Sequence, residues 1–321
     1  MRVYTLPVVA PYRLDLTVSA LRRLSTNVVD LLTPQGTYVR ALAGVHEPVI
    51  VRVAQLAKRH ALSVALEGDA GHDDAVLGLV GQILGADIDL GKFYRAVAPV
   101  SWLAPLVRRM RGVKPPRYPS LWEACVNAIV FQQISLRAAS AVMHRLTISL
   151  GRSLQADDMP IPLYLFPDPE SVQRATDRRL NTVGLSANKI ATLRRVADAL
   201  SSGALAASVL ERRTSQDAAA ILRGIKGIGP WTAAIILLRG LGRLDVFPAN
   251  DSSVASNIAF VAGPEPLDVP RVVKDIGPQR GMLYFHLLLA RLDARAEIGR
   301  ASFEPHSPDA RPDIRARGFR A

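Results

Sequence analysis

Leu222-Arg223-Gly224-Ile225-Lys226-Gly227-Ile228-Gly229-Pro230-Trp231-Thr232-Ala233 reads as a helix end, a tight glycine turn and a second helix opened by proline. Gly227 and Gly229 permit positive φ and let another backbone come close. Pro230 suits a first helical turn, where the missing N–H removes no intrahelical bond. The free N–H groups of such a turn, at the positive end of the following helix dipole, form a seat for a phosphate. The stretch is not a P-loop: the Lys-Ser/Thr spacing is absent, no strand precedes it, and GxGxxG does not match. Taken alone, it reads equally well as a plain joint between two helices.

Outward from this turn, the second half of the chain has helical periodicity throughout. Helices are predicted from Ser120, then to Leu150, and at Glu170 to Val183, Asn188 to Leu200, Thr214 to Arg223, Pro230 to Arg239, Asp251 to Ala262 and Pro278 to Ala294. Ser120 and Glu123 form a capping box, the serine accepting from the Glu123 N–H while the glutamate reaches back. The first hundred residues differ. Extended runs at Arg2 to Leu6, Arg13 to Val18, Thr37 to Leu42, Val49 to Val53 and Leu62 to Leu66 predict strands, with helices at Ser19 to Leu32 and Asp73 to Leu84. That order gives an α+β domain with one sheet face covered. The expected division is 1–100 for this domain, 101–303 for an all-α domain entered through a Pro- and Arg-rich connection, and 304–321 for a frayed tail.

Composition narrows the function. The 321 residues are 49% apolar, enough for a substantial core, and the longest apolar run, Ala233 to Leu238, is far short of a membrane span. The opening stretch is broken by Pro7 and makes a poor signal peptide, so the expected address is the cytoplasm. The single cysteine, Cys125, excludes an internal disulfide and a four-cysteine cluster, and the six histidines never fall at metal-ligand spacing. Forty Lys+Arg stand against 28 Asp+Glu, a net charge of +12. The excess is uneven, with 10 basic and 9 acidic residues up to position 100 and 30 and 19 beyond it. A basic, arginine-rich second half fits a polyanion partner, although a soluble basic surface has the same composition.

Gly227-Ile228-Gly229-Pro230-Trp231-Thr232-Ala233, followed by Asp245-Val246-Phe247-Pro248-Ala249-Asn250-Asp251, resembles the helix-hairpin-helix DNA glycosylases of the 3-methyladenine-DNA glycosylase II type. Phe131-Gln132-Gln133-Ile134-Ser135, Gly184-Leu185-Ser186 with Lys189, and Gly277-Pro278-Gln279-Arg280 match other parts of that family, and the N-terminal unit resembles its TBP-like domain. The resemblance implies a monomer that flips damaged bases out of duplex DNA in the nucleoid of a bacterial cytoplasm, with no required cofactor. It makes Asp251 the catalytic carboxylate and Gln133 and Ile134 the wedge that fills the gap. Trp231, Ile235 and Leu288 become the base pocket, and Lys226, Gly227, Gly229 and Thr232 the DNA contacts. Backbone carbonyls of Arg223, Ile225 and Ile228 become ligands for Na⁺ or K⁺.

The residues bear on this independently. A helix from Pro230 to Leu241 is about 18 Å long, and the loop from Gly242 to Asn250 spans up to about 30 Å, so the chain can bring Asp251 back beside the hairpin. On local sequence Asp251 also reads as an N-cap, which is compatible with catalysis; Asp245 is the second carboxylate to consider. A carboxylate near the sugar stabilises an oxocarbenium-like transition state, and a cationic alkylated purine leaves without an acid. Trp231 stands immediately before Thr232, where relatives that also cleave the backbone carry a Schiff-base lysine, so a monofunctional enzyme is expected. Two other functions remain open: a glycosylase for oxidised or deaminated purines, and a noncatalytic DNA-binding module.

Overall fold

Along β1 (Arg2–Pro7) exposure alternates residue by residue, the signature of an edge strand with one face inward. In a computed structural model, which describes residues 1–57, 59–156, 158–248, 252–263 and 267–302, this strand joins β2 (Leu31–Leu32), β3 (Tyr38–Leu42), β4 (Val49–Gln55) and β5 (Ala61–Gly68) in one antiparallel sheet. The strand order is β1-β5-β4-β3-β2. One face carries α1 (Leu14–Arg22) and α2 (Asp73–Leu84): Val18, Leu21, Val80 and Ile83 pack with Val51, Val53, Val64 and Leu66. The other face is not bare. At Val39, Ala41 and Ile50 it is covered by Ala156, Met159 and Leu163 from a hairpin of β6 (Ser153–Leu154) and β7 (Leu163–Tyr164), two strands in a half expected to be all helical.

The strand predicted at Arg13 to Val18 and the helix predicted at Ser19 to Leu32 are both corrected by α1. Leu14, Leu16, Thr17, Val18, Ser19, Ala20 and Leu21 are all buried, because the sheet lies on one side and a helical core on the other. A helix buried all round has no polar face to reveal its period, and Leu14-Leu16-Val18 then mimics strand alternation. After α1, the Asn27 side chain accepts from the N–H groups of Val29 and Asp30 and turns the chain into β2.

The rest of the chain forms α3 (Gly91–Val97), α4 (Ala104–Arg109), α5 (Leu121–Val130), α6 (Leu136–Leu150), α7 (Pro169–Arg174), α8 (Asp177–Thr182), α9 (Ala187–Ser201), α10 (Ala207–Glu211), α11 (Ser215–Arg223), α12 (Pro230–Gly240), α13 (Ser252–Ala262), α14 (Val269–Ile276) and α15 (Gly281–Asp293). The helix predicted over Glu170 to Val183 is split, because Thr176 accepts from Arg179 N–H and begins a new helix. Ser120 caps α5 as expected, but Glu123 does not complete the box. Its carboxylate is taken at 2.5 Å by Arg40 of β3, whose other arm reaches Asp30, so the sheet is tied to α5 through a buried ion triad.

These helices make two cores. One contains α5, α9, α11 and most of α12; the other contains α3, α4, α13 and α15 together with Leu16 and Ala20 of α1. They meet along α12, where Ile236 and Leu237 enter the first and Leu238 the second. At its C-terminal end, the fully buried Arg239 donates to the carbonyls of Ala20 and Leu21 and stacks over Tyr118. The N-terminal domain is thereby bonded directly to the end of the helix that the glycine turn begins. Among the described residues no helix is long and apolar enough to cross a membrane.

Candidate functional site

The turn between α11 and α12 is held from α9. Gly227 has φ +104, and a Cβ there would lie 2.0 Å from Thr192 Oγ1, so glycine is required both by conformation and by the approach of α9. Gly229 is different: its φ is −91 with extended ψ and nothing stands within 4 Å of a Cβ placed on it. Gly229 thus makes no use of the positive φ that glycine permits; it serves as the N-cap of α12 and faces open space, with Pro230 in the first turn after it. Arg195 Nη1 donates to the Lys226 carbonyl at 3.2 Å, adding a cation to a turn where the Lys226 side chain is itself exposed.

The turn after α5 is clasped to this hairpin. Gln132 Nε2 donates to the Gly227 carbonyl at 3.0 Å and to Thr232 Oγ1 at 2.7 Å. From α9, Lys189 Nζ donates to the carbonyls of Val130 and Gln132 at 2.8 and 3.0 Å, and partial burial draws its pKa below the usual lysine value. With its neighbours pinned, Gln133 takes φ +54, uncommon for a residue other than glycine and found where surroundings enforce it. Gln133 is exposed, Ile134 is 40% exposed, and Ser135 then caps α6 by accepting from Ala138 N–H. Two side chains thus project beside the glycine turn on a rigid mount.

The remaining expected residues are distributed as follows. Thr232, expected as a DNA contact, is only 2% exposed and its hydroxyl accepts from Gln132, so it braces the hairpin rather than presenting a surface. Trp231 is half-buried on the first turn of α12, and its Nε1–H is buried without a partner. Ile235, one turn further, is fully buried in the core, so it supports a wall rather than forming an open surface. Leu288 is partly exposed on α15. Arg223 is exposed, Ile225 half-buried and Ile228 buried; the Ile225 carbonyl already accepts from Ile228 N–H. Asp251 lies outside the described residues, as do Ala249, Asn250 and the expected tail 304–321; α13 begins at the next residue, Ser252. Val254 and Ile258 seat α13 against α15, and Arg291 of α15 binds Asn257 and stacks on Phe260.

Two residues were not anticipated. Over Gly281–Leu292 of α15 only Tyr284, Leu288 and Arg291 are partly exposed, an i, i+4, i+7 stripe on a helix otherwise buried. Tyr284 packs against both helical cores, so the stripe runs along the seam between them. Arg23, just after α1, reaches the same region: its guanidinium stacks 3.7 Å over Phe131, the residue preceding the Gln132 clasp, and contacts Asn127 Oδ1.

Residues 126–280, from α5 through the glycine turn to the start of α15, match the family described as HhH-GPD superfamily base excision DNA repair protein. Across those residues the chain belongs to the HhH-GPD superfamily. It is 28% identical over 175 residues to the DNA-3-methyladenine glycosylase of Bacillus subtilis, an alignment covering 54% of this chain and 57% of that protein. The chain thus spans little more than half of that relative. The 3-methyladenine DNA-glycosylase of Archaeoglobus fulgidus shares the fold over 92% of this chain and 99% of its own, with a TM-score of 0.73 at 23% identity. The Schizosaccharomyces pombe 3-methyladenine DNA glycosylase solved with abasic DNA superposes on 63% of this chain and 97% of its own, with a TM-score of 0.52 at 25% identity. The superfamily assignment agrees with the resemblance read from the glycine turn.

Proposed function

We propose that the protein is a monofunctional DNA glycosylase that flips an alkylated purine such as 3-methyladenine out of duplex DNA and hydrolyses its bond to the sugar, leaving an abasic site. The observation that carries the reading is the pair of hydrogen bonds that Gln132 donates to Gly227 and Thr232, which joins a projecting turn to a phosphate-seating hairpin as one rigid unit. A duplex phosphate seats on the N–H groups around Gly229, with Lys226 and Arg195 adding charge. Gln133 and Ile134 enter the stack and fill the gap left by the base. The base then lies along the seam of Trp231 and Leu288.

Asp251 stabilises the positive charge that develops on the sugar and takes a proton from the attacking water. At an effective dielectric near 20, two unit charges about 4 Å apart interact by roughly 4 kcal/mol, close to a thousandfold in rate. No amine precedes Thr232, so no Schiff base forms there and the DNA backbone is left intact. The hard carbonyl oxygens of Arg223, Ile225 and Ile228 would hold Na⁺ or K⁺, whose charge would reinforce the phosphate seat. The N-terminal sheet domain, TBP-like in this reading, braces α1 and α12. The protein acts as a monomer in the cytoplasm.

Incubation with duplexes carrying methylated, deaminated or oxidised purines, with the released bases separated and identified, tests the reading. Release of 3-methyladenine or 7-methylguanine is expected. Binding without release of any base would instead favour a noncatalytic clamp, and release of oxidised purines alone would move the substrate class.

A further inference from the structure

Residues 23–30, which lead from α1 into β2, hold both helices that flank the projecting turn. On α5 they reach Glu123, Asn127 and the C-cap Phe131, spaced i, i+4, i+8 and therefore on one face. Arg40 bridges Asp30 to Glu123 at 2.6 and 2.5 Å. Arg23 Nη1 donates to Asn127 Oδ1 at 3.3 Å, and the same guanidinium lies 3.7 Å over the Phe131 ring. On α6, His144 Nδ1 meets the Thr26 carbonyl at 3.0 Å. The grip thus follows α5 up to the residue before Gln132 and resumes on the helix beyond the turn.

The gripping segment is itself pinned. Arg23 is 4% exposed, and its φ of 65 and ψ of −78, with Leu24 N–H bonded to the Arg22 carbonyl, define a γ turn of the strained hand. Such a turn persists only where its surroundings over-determine it. Here Ser25 N–H donates to Glu297 Oε2 at 2.8 Å, and Asn27 Oδ1 accepts from Val29 and Asp30 N–H. Both ends of the turn are thereby fixed.

We infer that Arg23 is a positioning residue that holds the turn carrying Gln133 and Ile134 against the base stack, so that the N-terminal domain takes part in base flipping through α5. The inference rests on the glycosylase reading and deepens it. A side chain driven into a duplex is pushed back by the stacking it displaces, and a mount that yields lets the base return. Gln132 and Lys189 tie the turn to the hairpin and to α9. Arg23 ties its root to the sheet domain. Binding of undamaged duplex, carried by phosphate contacts, does not depend on that tie.

The full chain is tested on three duplexes: undamaged, with one 7-methylguanine, and with 2-aminopurine beside a tetrahydrofuran abasic analogue, whose fluorescence rises when a side chain enters the stack. Wild type, Arg23→Met, Arg23→Lys, Phe131→Leu and the double variant Arg23→Met/Phe131→Leu are compared at saturating protein, below melting temperatures fixed by thermal melts. In Arg23→Met, single-turnover release is expected to fall about tenfold, the worth of one desolvated cation–π contact, with a smaller fluorescence rise and unchanged affinity for undamaged duplex. Arg23→Lys, still cationic over the ring, should recover most of both. Because Arg23 acts through Phe131, adding Arg23→Met to Phe131→Leu should cost little more than Phe131→Leu alone. If Arg23→Met does not fold, Phe131→Leu decides by the same three readings. Release and fluorescence equal to wild type overturn the inference, as do additive losses in the double variant. Wild type that releases 7-methylguanine with no fluorescence rise overturns the inference alone, whereas wild type inert on every lesion overturns the glycosylase reading itself.

Discussion

Gly227 and Gly229 stand two residues apart in one turn, and their replacement by alanine should have opposite consequences. At Gly227, φ +104 costs an L-residue about 1–3 kcal/mol of backbone strain. Its new Cβ would also fall 2.0 Å from Thr192 Oγ1 and 2.9 Å from Thr192 Cβ, so α9 must give way. Overpacking of that kind typically costs about 1–3 kcal/mol. Gly227→Ala should therefore lose about 2–6 kcal/mol of a margin that is itself about 5–15 kcal/mol. Adding Thr192→Ala relieves the clash but not the strain and should restore about half. Gly229, at φ −91 with open space around it, should accept alanine within about 0.5 kcal/mol. There the methyl group stands over the phosphate seat, and affinity for an abasic duplex should fall about tenfold, the loss of one hydrogen bond to a charged group. Urea denaturation and a fluorescence-anisotropy titration separate the two effects. A Gly227→Ala protein as stable as wild type, or a Gly229→Ala protein that binds DNA undiminished, refutes the account of this turn.

Lys189→Met orphans the carbonyls of Val130 and Gln132; it should destabilise by about 2 kcal/mol and speed hydrogen exchange in the 131–135 turn, and unchanged exchange there would show that the clasp does not depend on it. His286 is buried with its pKa drawn down to about 4 by desolvation. In the unfolded chain it titrates near 6.5, so its contribution is present above that pH and lost as pH falls toward 4, a change of roughly 3 kcal/mol. Burial raises Glu123 and gives the opposite slope over part of that window. The quantity to measure is therefore wild type minus His286→Phe across pH 4–7, and a flat difference would contradict the assignment. Affinity for duplex DNA should fall steeply with salt, as phosphate contacts by Arg and Lys require; a flat titration counts against DNA as the partner.

The glycine turn was legible because its constraints are local: Pro230 after Gly229, and an α11 capped at Thr214 whose hydroxyl accepts from Asp217 N–H. The strands β4 and β5 were legible because exposure alternates along part of each, and β3, buried throughout, was legible as a short apolar run of β-forming residues. The sequence misled where burial is two-sided. For α1, between sheet and helices, no periodicity survives. No helix was predicted at α14, although Val269, Val272, Val273 and Ile276 keep helical spacing; Pro270 falls in its first turn, where proline is tolerated, and Asp268 caps it. The Gln132 clasp joins residues 95 and 100 positions apart, and no local pattern announces such a bond. Tyr284 was hidden for a related reason: in sequence it is one apolar position among many on α15, and only the packing of both cores leaves its stripe open.

The central claim is that one carboxylate, at position 251, performs the chemistry beside a hairpin that only binds. Asp251→Asn keeps size and capping ability while removing the charge. Its base release from a 7-methylguanine duplex, measured under single turnover beside its affinity for the same duplex, tests that claim most directly. The account predicts a fall of about a thousandfold in release with binding intact. Release within a few-fold of wild type would contradict it.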